Sequence, residues 1–356
     1  MSNSSFEIEI TETSESKLNS FDPDNLKFGH TFSDHMFIAD YSDGKWKAPR
    51  IEPYKNIELS PANSMIHYGQ SIFEGMKAFK DVHSDDILIF RPDMNAKRMY
   101  NSAERLCMAP VPEDLFMAGI RELLKVDSAW IPDSPKSSMY IRPFEFAMDP
   151  FLGVKASENY RYMVILSPSG SYYSKDVKVK VERDYTRAAL GGVGSAKTAG
   201  NYAASMLPAQ KAIQDGFDQL IWTDGKTHQF IEESGTMNLM VIIDGTLLTS
   251  PLTSTILPGV TRDSVLTLAR DWGMTVEERP VAVKEIQEGL EKGTLTEAFG
   301  VGTAATVAHI AEISIDGTNH TLPNSADREF SNKVNTYLDD LKRGRIEDTR
   351  NWIVRV

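Results

Sequence analysis

The chain has 356 residues, 41% hydrophobic and 25% charged, an ordinary globular composition with enough apolar mass for a sizeable core. With 50 acidic side chains against 38 basic ones, the formal net charge is −12; no dense Lys/Arg run offsets it, so phosphate backbones and anionic lipid are poor partners. A single cysteine, Cys107, excludes an intrachain disulfide and fits a reducing compartment, so a cytoplasmic location is expected.

At roughly 100–200 residues per domain, two domains are expected. Residues 1–20, rich in Ser and Glu, lack the apolar core of a secretory signal and the arginines of a transit peptide, and read as a disordered tail. A small N-terminal α/β domain is expected over 21–168. Within it 87–90 reads as a strand, and Arg91-Pro92-Asp93 as a helix start with Pro near the first helical position. Met94, Met99, Ala103 and Leu106 continue that helix, and 116–126 forms a second. Segments 138–143 and 160–166 are rich in β-branched and aromatic residues and read as strands. Ser167-Pro168-Ser169-Gly170-Ser171 opens the expected linker, 169–178.

A larger domain is expected over 179–356. Strands are read at 177–183 and 219–223, and a helix at 207–215. Residues 239–249 form a hairpin turning at Asp244-Gly245. The helix 260–272 is stopped by Gly273, Ala298-Phe299 opens a Gly-rich turn, and a polar helix covers 328–342. The longest apolar runs, at 163–166 and 239–243, are too short to span a bilayer. No internal repeat is visible.

Chemistry concentrates at Gly191-Gly192-Val193-Gly194-Ser195-Ala196-Lys197-Thr198, where small residues crowd one lysine. A Walker A loop fits poorly, because Ala196 stands where glycine should precede the lysine. No apolar strand leads into the segment, and Asn201-Tyr202 falls where a long helix should run. Two further segments read as anion cradles. Leu257-Pro258-Gly259 leads straight into a helix start, and Phe299-Gly300-Val301-Gly302-Thr303-Ala304 is rich in amides and hydroxyls. Glu232-Glu233-Ser234-Gly235-Thr236-Met237-Asn238 supplies a carboxylate, although adjacent acids of this kind are more often solvated. Lysine, phosphate cup and carboxylate together are what pyridoxal phosphate requires.

These segments, with Phe32-Ser33-Asp34-His35-Met36, Phe73-Glu74-Gly75-Met76-Lys77-Ala78-Phe79, Phe90-Arg91-Pro92 and Tyr140-Ile141-Arg142-Pro143, run in order along nearly the whole chain. Their ordered set resembles the branched-chain aminotransferases, pyridoxal-phosphate enzymes of fold type IV. The resemblance implies a mixed α/β, two-domain fold like that of D-amino-acid aminotransferase, with the cofactor at the domain interface. It implies that Lys197 carries the cofactor as an imine and, once released, acts as the general base. Arg98, Val260, Thr261 and Thr303 would hold the phosphate, Tyr202 the phenolic oxygen and Glu233 the pyridine nitrogen.

A substrate pocket would be formed by Phe28, Tyr68, Phe73, Tyr140, Tyr172, Thr236 and Ala304. Thr303 and Ala304 would receive the α-carboxylate, and Arg142 the distal carboxylate of glutamate. A homodimer is implied, the 151–154 loop reaching the neighbouring site through Val154 of the partner subunit. The expected partners are amino acids and 2-oxo acids, in branched-chain amino-acid biosynthesis. D-amino-acid aminotransferase and aminodeoxychorismate lyase, which share the fold, are the rival readings. Some eukaryotic relatives carry a redox-active Cys-x-x-Cys after the Gly-Thr-Ala turn; Ala305-Thr306-Val307-Ala308 stands here instead, and Cys107 reads as core packing.

Overall fold

The computed structural model describes residues 6–23, 25–170 and 175–356. Contacts divide the chain into two compact units. The first is Met1–Tyr172 with Ala196–Ala199 and Asp340–Val356; the second is Tyr173–Ser195 with Gly200–Asp339. This differs from the expected division, which gave everything after residue 178 to one domain. The C-terminal strand Ile353–Arg355 pairs antiparallel with Ile87–Phe90, and Ile72 bridges Thr198. Local periodicity does not reveal such long-range pairings.

Among its described residues the first unit builds a nine-stranded sheet. Strands Ser138–Ala147 and Tyr160–Ser169 pair antiparallel along their full length at its centre. Helices Pro92–Arg105 and Glu113–Val126 contribute Met99, Ala103, Leu115, Phe116, Ile120 and Leu123 to a core shared with Phe37, Ile141, Tyr162 and Leu166 from the sheet. That helical spacing is the apolar stripe that a sheet-covering helix buries.

Three expectations are corrected in this unit. Ser167-Pro168-Ser169 does not open a linker, because its partner strand is long enough to carry the ladder through Ser169. The tail is not uniformly loose: Glu9–Ile10 pairs in parallel with Arg50–Ile51, and the Thr13 N–H donates to His35 Nε2 at 2.9 Å. Cys107 is exposed rather than core, because the helix ends at Arg105 and Cys107 adopts a positive φ of 54° beyond it.

The second unit holds a ten-stranded sheet among its described residues. Met237–Ile243 pairs with Leu295–Gly302 and also with Phe230–Ser234, so six of the strands close into a ring. Valines and isoleucines such as Val179, Ile221, Val241, Ile310 and Ile313 form its core. The Asp244-Gly245 turn has φ of 48° and 76°, the paired positive values of a type I′ hairpin. The helix Val260–Asp271 ends before Gly273 at φ 78°.

Two elements run further than expected. The strand Leu295–Gly302 continues through the glycines, confining the turn to 303–305. The helix Ala199–Gln214 begins well before residue 207, favoured by Ala199, Ala203 and Ala204. Asn201 and Tyr202 therefore lie within a helix, which removes one argument against a Walker loop and leaves the Ala196 mismatch. Among the described residues no helix is long and apolar enough to cross a membrane.

Candidate active site

Lys197 is anchored through its backbone in the first unit. Its N–H donates to Ser102 Oγ at 3.0 Å, and its carbonyl accepts from the Phe73 N–H at 3.0 Å. The side chain is half-buried, with Nζ 4.7 Å from the centre of the Phe73 ring. The guanidinium of Arg142 lies over the same ring at 4.7 Å and over that of Tyr140 at 5.2 Å, and its Nη2 donates to Tyr140 Oη at 3.0 Å. Phe28 meets Tyr140 edge-on at 4.8 Å. Lys197, Phe73, Arg142, Tyr140 and Phe28 thus form one continuous cluster, in the cation-over-ring geometry that favours buried positive groups.

Gly75 is required beside it, since a Cβ there would collide with Tyr140 Oη. Arg142 Nε is buried with no hydrogen-bond partner among the described residues, a donor in want of an acceptor.

Arg98, on the helix Pro92–Arg105, is only 7% exposed. Its Nε and Nη2 each donate to the fully buried Glu74 at 2.7 Å, and Asn95 Nδ2 adds a third bond at 2.7 Å. Read without the family resemblance, Arg98 would be an exposed helical charge; it is a buried, paired one.

In the second unit, Glu233 is the penultimate residue of the strand Phe230–Ser234 and is 2% exposed. Arg187 Nη2 stands 2.7 Å from its Oε2, while Asn238 Nδ2 at 3.2 Å and the Leu257 N–H at 2.8 Å donate to Oε1. Gly259 allows this arrangement, because a Cβ there would collide with Asn238 Oδ1. It also starts the helix Val260–Asp271 with no side-chain cap, and Val260 and Thr261 are buried. A buried helix start lacking a side-chain acceptor is suited to an anion.

Thr303 and Ala304 occupy the half-buried turn after Leu295–Gly302, and Tyr202 is half-buried on the helix Ala199–Gln214. A half-buried amine, a buried paired arginine, a fixed carboxylate and an uncapped helix start are the groups that pyridoxal phosphate needs, so the residues present fit it.

Other expected residues are placed apart from these clusters. Tyr68 is 43% exposed at the end of the short helix Ser64–Tyr68, with its ring against His67. Thr236 is exposed beyond Gly235. Val154 is 88% exposed, in a loop that also exposes Phe151 and Leu152. Tyr172 lies outside the described residues.

Sequence reasoning missed the holders: Glu74, Asn95, Arg187 and Asn238. Glu74 and Asn238 did lie inside quoted motifs, and an acid set between Phe73 and Gly75 was the available hint.

The Amino-transferase class IV family model matches residues 71–313. The chain is 43% identical to branched-chain-amino-acid transaminase 1 of Bacillus subtilis, across 94% of this chain and 95% of that protein. It is 41% identical to branched-chain-amino-acid aminotransferase 2 of the same organism, across 100% and 98%. The crystal structure of the Escherichia coli branched-chain amino acid aminotransferase, at 25% identity, superposes with a TM-score of 0.73 over 90% of this chain and 98% of that one. With that agreement of motifs, fold and relatives, the chain belongs to the branched-chain aminotransferases of the class IV family, fold-type-IV enzymes that use pyridoxal phosphate.

Proposed function

We propose that the enzyme exchanges amino groups between L-leucine, L-isoleucine or L-valine and 2-oxoglutarate, yielding the branched-chain 2-oxo acids and L-glutamate. On this reading it is a cytoplasmic homodimer serving branched-chain amino-acid biosynthesis. The observation that carries the substrate assignment is Arg142, held over the Phe73 and Tyr140 rings with a buried, unsatisfied Nε. A pocket for both an isobutyl group and a glutamate side chain needs apolar walls and one cation, since a buried unpaired carboxylate costs several kcal/mol.

The cofactor supplies an electron-accepting ring and a carbon that carries the amino group from one substrate to the next. Lys197 would hold it covalently, and its amine, when free, would serve as the base that takes and gives back the substrate's α-proton. Glu233 would accept a hydrogen bond from the ring N–H and so keep that nitrogen protonated. Arg98, Val260, Thr261 and Thr303 grip the phosphate, arginine contributing a forked donor. Tyr202 donates to the phenolic oxygen. The amides of Thr303 and Ala304 take the α-carboxylate. Phe28, Tyr68, Phe73, Tyr140, Tyr172 and Thr236 shape the side-chain pocket together with Val154 of the partner subunit.

Two variants test this. Lys197→Ala is expected to abolish turnover and borohydride trapping; undiminished leucine turnover would overturn the assignment. Arg142→Leu is expected to weaken glutamate and 2-oxoglutarate by about 10- to 100-fold, the worth of one charged hydrogen bond, and leucine far less. Equal losses for every substrate would remove Arg142 from that role. Steady-state rates with L-leucine, L-valine, D-alanine and aminodeoxychorismate separate the branched-chain reading from other chemistries of this fold.

A further inference from the structure

Arg187 stands outside the motifs that carry the family resemblance, in an irregular stretch between the strand Val177–Val181 and the glycine run. Its side chain is nonetheless only 8% exposed, and that of Glu233, which it meets at 2.7 Å, only 3%. Its other bonds go to backbone: Nη1 donates to the Thr255 carbonyl at 3.1 Å and Nη2 to the Gly194 carbonyl at 3.4 Å. One guanidinium therefore ties together the functional carboxylate, the turn before the helix Val260–Asp271, and the segment running into Lys197.

Three groups that hold Glu233 are not equivalent. Asn238 Nδ2 and the Leu257 N–H are neutral donors that orient Oε1. Arg187 alone among these three brings charge, and charge separates an ionised carboxylate from a protonated one when solvent is absent. A protonated Glu233 would be a donor where an acceptor is needed, and the cofactor's ring nitrogen could not keep its proton beside it.

We propose that Arg187 is the positioning residue of the active-site carboxylate, holding Glu233 ionised and aimed so that the cofactor's ring nitrogen stays protonated. The inference rests on the reading given above that Glu233 faces that nitrogen. Arg187 itself touches neither cofactor nor substrate in this role; it acts through Glu233.

The test uses holoenzyme reconstituted with pyridoxal phosphate labelled with nitrogen-15 in the ring, in Arg187→Lys, Arg187→Gln, Arg187→Met and Glu233→Gln variants. Lysine keeps the charge, glutamine keeps donors without charge, and methionine keeps neither. The ring-nitrogen resonance is expected to move toward that of neutral pyridine in the Gln and Met variants and to stay near wild type in the Lys variant.

The pre-steady-state rate of the half-reaction with L-leucine should fall roughly 10- to 100-fold in the Gln and Met variants with little change in KM, the range seen when outer-shell partners of a functional group are lost. Borohydride should still fix the cofactor to Lys197 in all four. Adding Arg187→Met to Glu233→Gln should cost nothing further, since both act on one carboxylate.

A wild-type resonance and rate in Arg187→Gln would overturn the proposal and leave Arg187 as a backbone clamp. An unmoved resonance in Glu233→Gln would instead overturn the underlying assignment of Glu233. Should Arg187→Met fail to fold, the Lys and Gln variants decide, since each retains donors for the Thr255 and Gly194 carbonyls.

Discussion

An arginine–glutamate pair is buried in each unit, and these two pairs are built in opposite senses. In the first unit the proposed cofactor ligand is the cation, Arg98, and a fully buried Glu74 grips it through two nitrogens with Asn95 in support. In the second the proposed ligand is the carboxylate, Glu233, and Arg187 holds it through one nitrogen while also bonding two backbone carbonyls. A charge taken out of water for use on a ligand needs a buried opposite charge, because burial of either alone is severely unfavourable. The sense of the pair follows the group it must meet: a cation for phosphate, an anion for a protonated ring.

The largest expected effect breaks the first pair. Glu74→Leu strands Arg98 in the core with its main acceptor gone and should cost about 3–5 kcal/mol. Glu233→Leu should cost less stability, because Arg187 keeps the Thr255 and Gly194 carbonyls as acceptors. Urea midpoints of the cofactor-stripped proteins measure both. An equal or larger loss in Glu233→Leu would show that the two pairs are not held as described.

A smaller contrast lies in the glycines beside each cluster. A Cβ on Gly75 meets the phenol end of Tyr140, whose rigid ring also lies under Arg142; one on Gly259 meets the amide end of Asn238, which can rotate away. Gly75→Ala should therefore cost about 1–3 kcal/mol and raise KM for amino acids, as overpacking against a rigid neighbour does. Gly259→Ala should cost less stability and act mainly on cofactor affinity, by drawing Asn238 off Glu233. Thermal unfolding, KM and cofactor titration of the two variants read these out, and a larger stability loss at Gly259 would reverse the ranking.

Legibility in the sequence tracked how local each feature is. Helices 92–105, 113–126 and 260–271 and the 244–245 turn were readable, because proline at a first turn, a 3.6-residue stripe and an Asp-Gly pair act within a few residues. The same Asp-Gly signal at 43–44 and 316–317 also marks real hairpins, with φ of 51° and 76° and of 48° and 84°, and passed unused. Pairing of Ile353–Arg355 with Ile87–Phe90 was not readable, because no local pattern names a partner more than 250 residues away.

The site divides likewise. Lys197 and Glu233 stood out only in the company of glycine-rich segments and through the family's motif order. Arg187 and Asn95 could not be singled out, since their value lies in which buried carboxylate they meet in three dimensions.

The neighbouring acids 232 and 233 offer the smallest and sharpest version of the same contrast. Glu233 has an arginine; Glu232 is also buried, but its contact is the Thr255 hydroxyl at 2.6 Å, and its Oε2 has no hydrogen-bond partner among the described residues. Burial pushes the Glu232 carboxyl up to about 7, against the Thr255 bond and the charge of Arg187, which pull it down. Between its unfolded value near 4.5 and 7, the folded chain keeps a proton that the unfolded chain has released. Stability from this group is therefore full below that window, falls as pH rises through it, and is level above it, a difference of at most about 3 kcal/mol.

Glu145, buried with both oxygens unpartnered among the described residues and raised well above the usual range by desolvation, contributes in the same direction, so the wild-type slope alone does not isolate Glu232. The difference between Glu232→Gln and wild type does. Measured by urea unfolding between pH 5 and pH 8, the variant should gain progressively on wild type up to about pH 7 and level off above it. A difference that stays constant across that range would mean that Glu232 is ionised throughout, and that proximity to Arg187 serves both acids rather than the one it bonds.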